Sequence, residues 1–210
     1  MQRRNYLVLV EGLAIALITV VMNSAAMAQN LSGAIFTTNT NHFVNANVYN
    51  SKTDVYLNGG PRPNAPCTAA GLPNGIYYFQ VTDPSGAMSL HDLSDPITDR
   101  QVEVAGGVIV AYLGSNPDRM ADVTIGKCPN SIIVPLFPFV NTPNPGGEYK
   151  VWMTNVLDYD GSMTKGSFGF IPSKSKTDNF KVAPPVDVDS DGDGTPDSED
   201  PCPNDFGFEC

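Results

Sequence analysis

The residues best suited to chemistry lie near the end of the chain, where aspartates recur at every second position. Residues 187–203 read DVDSDGDGTPDSEDPCP, and seven acidic side chains fall between Asp187 and Asp200. Carboxylates with this spacing can curl around one cation, and a glycine allows the sharpest turn of the curl. Oxygen-rich loops of this kind suit calcium, so the pattern predicts a Ca²⁺ site.

Two registers of a twelve-residue calcium loop fit this segment. One begins at Asp187 and places Ser198 at the twelfth position, where a carboxylate is needed. The other begins at Asp189 and fills every ligand position, so we choose it. Asp187 then lies upstream, where it could bind a second ion. The predicted ligands are Asp189, Asp191, Asp193, the carbonyl of Thr195, Asp197 and Asp200.

The surroundings of the loop differ from those of an EF-hand. Pro196 occupies the eighth position, where an EF-hand uses a backbone N–H that proline lacks. The segment instead resembles the thrombospondin type 3 repeat, whose pattern is D-x-D-x-D-G-x-x-D-x-x-D-x-C. That resemblance implies calcium binding with little regular structure, held by ions and disulfides; the alternative is a disordered acidic tail. The matching residues are Asp189, Asp191, Asp193, Gly194, Asp197, Asp200 and Cys202.

The first 28 residues have the pattern of a secretory signal peptide. Arg3 and Arg4 give a positive start, residues 13–22 are almost wholly apolar, and Ala26 and Ala28 are the small residues that a signal peptidase reads. A retained membrane anchor is the alternative, but the run is shorter than the ~20 residues of a spanning helix. The two arginines also leave a twin-arginine signal open. We predict a secreted or cell-surface protein with no membrane insertion after cleavage.

Four cysteines in an exported chain suggest two disulfides. Three pairings are possible, and we favour Cys67–Cys128 and Cys202–Cys210 because each keeps a bridge within one segment. A zinc site made of four thiolates is the weaker alternative, because the chain has no C-x-x-C pair.

Negative charge is concentrated at the C-terminal end. The chain has a formal net charge of −10, and nine acidic residues but no basic one follow Lys181. The preceding segment is nearly balanced. Because nucleic acids and anionic membranes are bound through basic patches, this distribution predicts neither as a partner.

Residues 29–182 are predicted to form an all-β domain, an antiparallel β-sandwich. Short runs rich in β-branched and aromatic residues alternate with clusters of Gly, Pro, Asn and Asp, and residues 58–60, 83–86, 105–107 and 145–147 are predicted turns. Several runs alternate polar and apolar residues, which is typical of strands with one wet face. A Pro-rich spacer at 183–186 and the calcium repeat at 187–210 follow, and the polar residues 173–179 are predicted to be a loop. The predicted strands cover 34–38, 44–49, 54–57, 76–82, 101–104, 108–113, 132–139, 149–154, 168–171 and 180–182.

One stretch of this domain carries a second resemblance. Residues 71–86, GLPNGIYYFQVTDPSG, resemble the L-P-x-G-x-Y corner of prealbumin-like sandwiches, which implies a prealbumin-like or Ig-like fold. We expect Pro73 and Gly75 to make a tight turn. Tyr77, Phe79 and Val81 should then share one face of the following strand.

The sequence contains few candidates for catalysis. It has no G-x-S-x-G, H-E-x-x-H or phosphate-loop motif, and its two histidines, His42 and His91, are expected at the surface. Residues 158–161, DYDG, suit a plain turn better than a calcium loop. Trp152 and Tyr149 are expected to pack in the core rather than to bind sugar.

These observations predict a non-enzymatic, calcium-binding extracellular module that acts in adhesion or in surface or matrix organisation. Its partner is expected to be an extracellular protein or a glycan. A carbohydrate-active or other extracellular hydrolase, or the accessory binding domain of one, is the alternative, because two carboxylates brought together in space could form a hydrolytic site.

Overall fold

Short strands make up most of the regular structure in the described chain. The structure is a computed structural model that describes residues 31–42, 44, 48–86, 95–161, 168–183, 190–192, 195, 197 and 200–204. The predicted signal peptide and most of the Pro-rich spacer lie outside these residues.

Nine strands and one short helix are described. Helix α1 (Pro117–Ala121) has Pro117 in its first turn, and the Asn116 side chain caps it by accepting the N–H of Arg119. Three further segments form 3-10 turns, at Lys52–Asp54, Ile97–Asp99 and Pro172–Lys174. The strands are β1 (Ala34–Thr38), β2 (Tyr56–Gly60), β3 (Gly75–Thr82), β4 (Gln101–Ala105), β5 (Val108–Tyr112), β6 (Thr124–Ile125), β7 (Ile132–Pro135), β8 (Glu148–Asn155) and β9 (Ser175–Lys181).

The strands form two antiparallel sheets. One sheet has the order β1-β2-β7-β6, and the other has the order β5-β4-β3-β8-β9. The all-β antiparallel sandwich predicted from the spacing of short strands is confirmed.

The core lies between the two sheets. Tyr77, Phe79 and Val81 of β3 are all at most 1% exposed, so the predicted inward face is correct. Leu57 of the first sheet and Val151 of the second belong to the same buried cluster. Alternation along β3 thus places every second side chain in the core, as the pleat requires.

Glycines set the connection between β4 and β5. Gly106 and Gly107 form a two-residue hairpin turn, and both have positive φ angles, +60° and +88°, as a type I′ turn requires. Gly107 also touches the backbone of Gly71, where a Cβ would lie 2.1 Å from the Gly107 carbonyl oxygen. The loop before β3 is therefore pinned against this hairpin.

The prediction of a loop at 173–179 is wrong, because β9 covers most of that segment. β9 is the edge strand of the second sheet, so its outward side chains can be polar. Asp178 lies on the inward face, the same face as the buried Phe180, and accepts hydrogen bonds from the backbone N–H (2.8 Å) and the hydroxyl (3.1 Å) of Thr37 in β1. This polar strand thereby joins the two sheets at their edge.

The prediction of a strand at 168–171 is also wrong. Phe168 has a positive φ of +52°, and the segment turns instead of extending. Phe170 packs against Trp152 (ring centroids 6.2 Å apart) and against Tyr159 (5.4 Å). This apolar segment covers the outward side of the second sheet, so Gln80, which a simple alternation would leave wet, is 1% exposed.

Smaller differences concern strand ends. β2 continues through Gly59 and Gly60, which were predicted as a turn. At Gly59 there is no room for a side chain, because a Cβ would lie 2.9 Å from Leu72 Cδ1 and 3.0 Å from Ile109 Cδ1. A glycine is therefore needed inside this strand for packing. β7 ends at Pro135 rather than at residue 139, and the two-residue β6 was not predicted.

The strand predicted at 44–49 is only partly testable. Val44 forms an isolated bridge with Thr38, and Tyr49 forms one with Val182. Residues 45–47 lie outside the described part of the chain.

Candidate functional site

The predicted calcium segment is described in part. Four of the six proposed ligands, Asp191, Thr195, Asp197 and Asp200, are described; Asp189, Asp193 and the upstream Asp187 lie outside. Among the described residues, no three His, Cys, Asp or Glu side chains cluster as a metal site would require. The ligand set therefore stays a prediction, and the described residues give the local geometry.

A pair of hydrogen bonds closes the chain around this segment. The backbone N–H of Ser190 donates to Asp197 Oδ1 (2.7 Å), and the Ser190 hydroxyl donates to Asp197 Oδ2 (2.6 Å). Two residues seven positions apart are thus held together, so the chain curls back on itself between them. A calcium loop requires such a curl, because its ligands come from successive positions of one short segment.

The side chain of Asp200 is the most buried of the four described ligands. Asp200 is 8% exposed, and its Oδ1 accepts the backbone N–H of Cys202 (2.8 Å). Its Oδ2 is buried and has no hydrogen-bond partner within the described residues. A buried carboxylate oxygen without a partner is costly, and a bound cation is one of the few groups that can compensate it. The burial of this oxygen fits the twelfth position of the chosen register.

Glycine shapes the turn in this segment. Gly192 has a φ of +79°, and a Cβ built there meets nothing within 4 Å. Gly192 is the sixth residue of the register that begins at Asp187, whereas Gly194, the sixth residue of the chosen register, lies outside the described residues. The choice between registers thus rests on the ligands, Asp200 against Ser198.

The disulfide prediction is confirmed for one pair. Cys67 and Cys128 are bonded, with their Cα atoms 5.5 Å apart, and they join the loop after β2 to the connection between β6 and β7. Cys202 is disulfide-bonded and 8% exposed. Its predicted partner, Cys210, lies outside the described residues.

The weaker candidates of the sequence have structural roles. Asp158 Oδ1 accepts a hydrogen bond from the Lys174 ammonium (2.8 Å), so the DYDG turn holds an ion pair. Trp152 and Tyr149 are 4% and 3% exposed, which confirms that they pack in the interior. His42 is partly buried, and His91 lies outside the described residues.

A buried charged cluster was not predicted at all. The side chains of Arg100 and Arg119 are fully buried, and both pair with Asp95. Arg119 makes a bidentate contact with this carboxylate, at 2.8 and 2.9 Å, and also reaches the hydroxyl of Tyr112. Arg100 and Arg119 lie over the ring of Phe79, at 5.4 and 5.7 Å from its centroid. Isolated arginines in a sequence read as surface residues, so no local pattern could have revealed the cluster.

Two carboxyl groups titrate differently because of their partners. Burial would raise the pKa of Asp95, but hydrogen bonds from Arg119 and the charges of Arg100 and Arg119 outweigh it, so the pKa lies below its usual range. Burial raises the pKa of Asp178, and the hydrogen bonds from Thr37 offset this only in part. Asp95 is therefore held as a carboxylate, while ionisation of Asp178 is disfavoured.

Comparisons with known proteins add no relative. No protein-family model, no curated protein and no solved structure matches the chain. Among the described residues, none of the helices has the length and apolar character needed to cross a bilayer.

Proposed function

We propose that this protein is an exported, non-enzymatic module in which a β-sandwich carries a calcium-stabilised C-terminal segment. Its role would be adhesion or the organisation of a cell surface or matrix. The support comes from the alternating aspartates of residues 187–200, the curl closed by Ser190 and Asp197, and the bonded cysteine that follows.

One observation carries the proposal: the buried Oδ2 of Asp200. This atom has no hydrogen-bond partner in the described chain, although the same carboxylate fixes the N–H of Cys202 through Oδ1. The remaining ligand positions are oxygen donors of the type that Ca²⁺ prefers. The ion would be held by Asp189, Asp191, Asp193, the Thr195 carbonyl, Asp197 and Asp200.

The chemistry that calcium supplies here is a multivalent, non-covalent cross-link. Residues of the segment prepare this site. Ser190 orients the Asp197 carboxylate, Gly192 allows the turn, and the disulfide of Cys202 restrains the chain after the last ligand. Extracellular calcium sites commonly have a Kd of roughly 10⁻⁴ to 10⁻³ M. A site of that strength stays loaded outside the cell and acts as a structural support rather than as a sensor.

Isothermal titration calorimetry on the exported, oxidised protein tests the proposal. The protein should bind Ca²⁺, and an Asp191→Ala/Asp193→Ala variant should lose the binding heat. The matched control is Asp205→Ala/Glu209→Ala, which removes two negative charges from the same tail outside the loop pattern. Equal heats from the loop variant and the control would contradict the site.

The register is tested separately with single amide substitutions. Asp200→Asn should weaken calcium binding by about tenfold or more, because a charged ligand is lost at the buried twelfth position. Asp187→Asn should leave the affinity of the main site unchanged. The reverse result would move the loop to the register that begins at Asp187.

A further inference from the structure

The sandwich has a groove of about 490 Å³ whose lining includes none of the predicted calcium ligands. The chain segment before β2 forms one part of its lining, and the connection between β7 and β8 forms another. The remaining lining comes from the start of β8 and from the residues after β9. This volume lies within the range of small-molecule and oligosaccharide sites. The lining residues are Asn50, Ser51, Lys52, Thr53, Phe137, Asn141, Thr142, Asn144, Pro145, Gly147, Tyr149, Val182 and Ala183.

Hydrogen bonds hold this groove in shape. The backbone N–H of Thr142 donates to the hydroxyl of Tyr149 (3.1 Å), which fixes the β7–β8 connection to β8. The Lys52 ammonium donates to the backbone carbonyl of Phe139 (3.0 Å) and lies 5.4 Å from the centroid of the Phe139 ring. These contacts fix the segment before β2 to the β7–β8 connection. The groove is therefore formed before any ligand arrives, which lowers the entropic cost of binding.

Tyr149, which lines the groove, belongs to a buried cluster of three aromatic rings. Tyr149 stacks on Phe180, with ring centroids 5.3 Å apart and an interplanar angle of 12°. Phe139 meets the edges of both rings, at 5.0 and 5.9 Å. Because all three residues are at most 5% exposed, the base of the groove is as rigid as the core.

Two neutral side-chain amides of the lining are open to solvent. Asn50 and Asn141 are exposed, and neither side-chain amide hydrogen-bonds within the described residues. Each amide offers both a donor and an acceptor. The apolar ring of Phe137, 41% exposed, lies among the same lining residues. Lys52 is the single charged side chain among the described lining residues, and its ammonium already has an acceptor.

We propose that this groove binds a carbohydrate chain. Each sugar hydroxyl is both a donor and an acceptor, so the amides of Asn50 and Asn141, which have no hydrogen-bond partner among the described residues, match it in pairs. The C–H face of a sugar ring is apolar and fits the exposed ring of Phe137. A charged peptide would need ionic partners that the described lining, apart from Lys52, does not offer. The proposal concerns binding.

The groove goes beyond the proposed calcium function and does not depend on it. Val182 and Ala183 line the groove at the point where the sandwich ends and the acidic segment follows. Twelve of the thirteen lining residues belong to the sandwich, and Ala183 begins the spacer, so no predicted calcium ligand lines the groove.

Screening the exported protein against immobilised oligosaccharides tests the proposal. The panel holds β-1,4-linked glucose, xylose, mannose and N-acetylglucosamine chains and an oligogalacturonate, with unrelated octapeptides beside them. We expect at least one oligosaccharide to bind and no octapeptide. If no oligosaccharide binds, or if octapeptides bind and oligosaccharides do not, the proposal is wrong.

Variants then place the bound sugar in the groove. Asn141→Ala and Phe137→Ala should each weaken binding by about tenfold, as loss of a hydrogen bond or a stacking face predicts. Asn64→Ala is the matched control, because Asn64 is an exposed amide outside the lining. Thermal unfolding of all three should remain unchanged. Groove variants that bind like the control would overturn the assignment.

Calcium separates this proposal from the first one. The same binding measurement is made in excess calcium and in chelator, and with the Asp191→Ala/Asp193→Ala protein. Because the lining residues belong to the sandwich, the sugar affinity should change less than about threefold under both conditions, a difference below ~1 kcal/mol. A loss of sugar binding with the loop variant would show that the groove does not act independently.

Discussion

Replacing Asp95 with alanine should destabilise the sandwich more than almost any other single change to a polar residue. Its carboxylate accepts hydrogen bonds from both buried guanidinium groups, one from Arg100 and two from Arg119. Without it, both buried guanidinium groups lose the carboxylate that pairs with them. Breaking a buried pair in this way costs roughly 3–5 kcal/mol.

The expected loss of unfolding free energy depends on the hydrogen bonds that Arg100 and Arg119 retain in the variant. Arg100 retains the carbonyls of Leu136 and Pro138, and Arg119 retains the carbonyl of Pro135 (3.0 Å). Three lost charged hydrogen bonds at about 1.5–3 kcal/mol each would sum to roughly 4.5–9 kcal/mol, most of which lies above that range. The retained carbonyls, however, keep each guanidinium partly satisfied, so the lower range is the expected one.

Urea unfolding measures this change, with the fluorescence of Trp152, the only tryptophan in the chain, as the probe. Trp152 is 4% exposed and lies in β8, so its environment reports on the sandwich. Asp118→Ala is the control, since Asp118 is an exposed carboxylate in α1 and should change the unfolding free energy by no more than about 0.5 kcal/mol. A loss below about 1 kcal/mol for Asp95→Ala would refute the reasoning.

Acid provides a second reading of the same cluster. The pKa of Asp95 is lower in the folded protein than its ordinary value of 3.8. Its contribution to stability is therefore present above that value and is lost as the pH falls through the folded pKa. The wild-type protein should lose this contribution in acid, and Asp95→Ala should lack that part of the pH dependence.

Three further predictions concern other parts of the sandwich. Asp178→Asn should be at least as stable as the wild type at pH 7. Because folding raises the pKa of Asp178, the stability that this carboxyl group contributes is fully present below its ordinary pKa of 3.8 and is lost as the pH rises through the folded pKa. Urea unfolding at pH 4 and 7 checks this, and a variant less stable at pH 7 would contradict it. Replacing Cys67 and Cys128 with serine should cost about 4 kcal/mol, since their disulfide closes a loop with a sequence separation of 61; chemical denaturation should register the loss, and a change under 1 kcal/mol would be inconsistent with it. Gly71→Ala should lower the melting temperature by several degrees, because a Cβ would lie 2.1 Å from the Gly107 carbonyl oxygen; calorimetry decides, and an unchanged midpoint would mean that the loop moves aside freely.

The strands that could be predicted from the sequence are those whose side chains alternate between core and surface. β3 is the clearest case, because Tyr77, Phe79 and Val81 occupy every second position and all three are buried. The β4–β5 hairpin was equally visible in Gly106 and Gly107. Local periodicity and turn chemistry are enough for such elements.

The elements that sequence reasoning missed depend on distant contacts. β9 is polar and looks like a loop, but it lies at a sheet edge where polar side chains are tolerated. Residues 168–171 are apolar and look like a strand, but Phe170 serves as a cover over Trp152. In both cases the environment of the segment, which no local pattern contains, decides its conformation.

The candidate sites divide in the same way. The calcium segment could be predicted because its proposed ligands are neighbours along the chain, from Asp189 to Asp200. The groove could not, because Asn50, Phe137 and Asn141 come together only after the two sheets pack. Asn50 is far from the other two residues in the sequence and the three form no motif, so the sequence alone does not indicate that they belong to one site.

A calcium titration followed by amide NMR of the exported, ¹⁵N-labelled protein tests the central claim most directly. We predict that millimolar Ca²⁺ shifts the amide resonances of residues 189–202, while those of β3 and β8 stay in place. Shifts centred on the Asp158 turn, or no shifts in the C-terminal segment at millimolar calcium, would contradict the account.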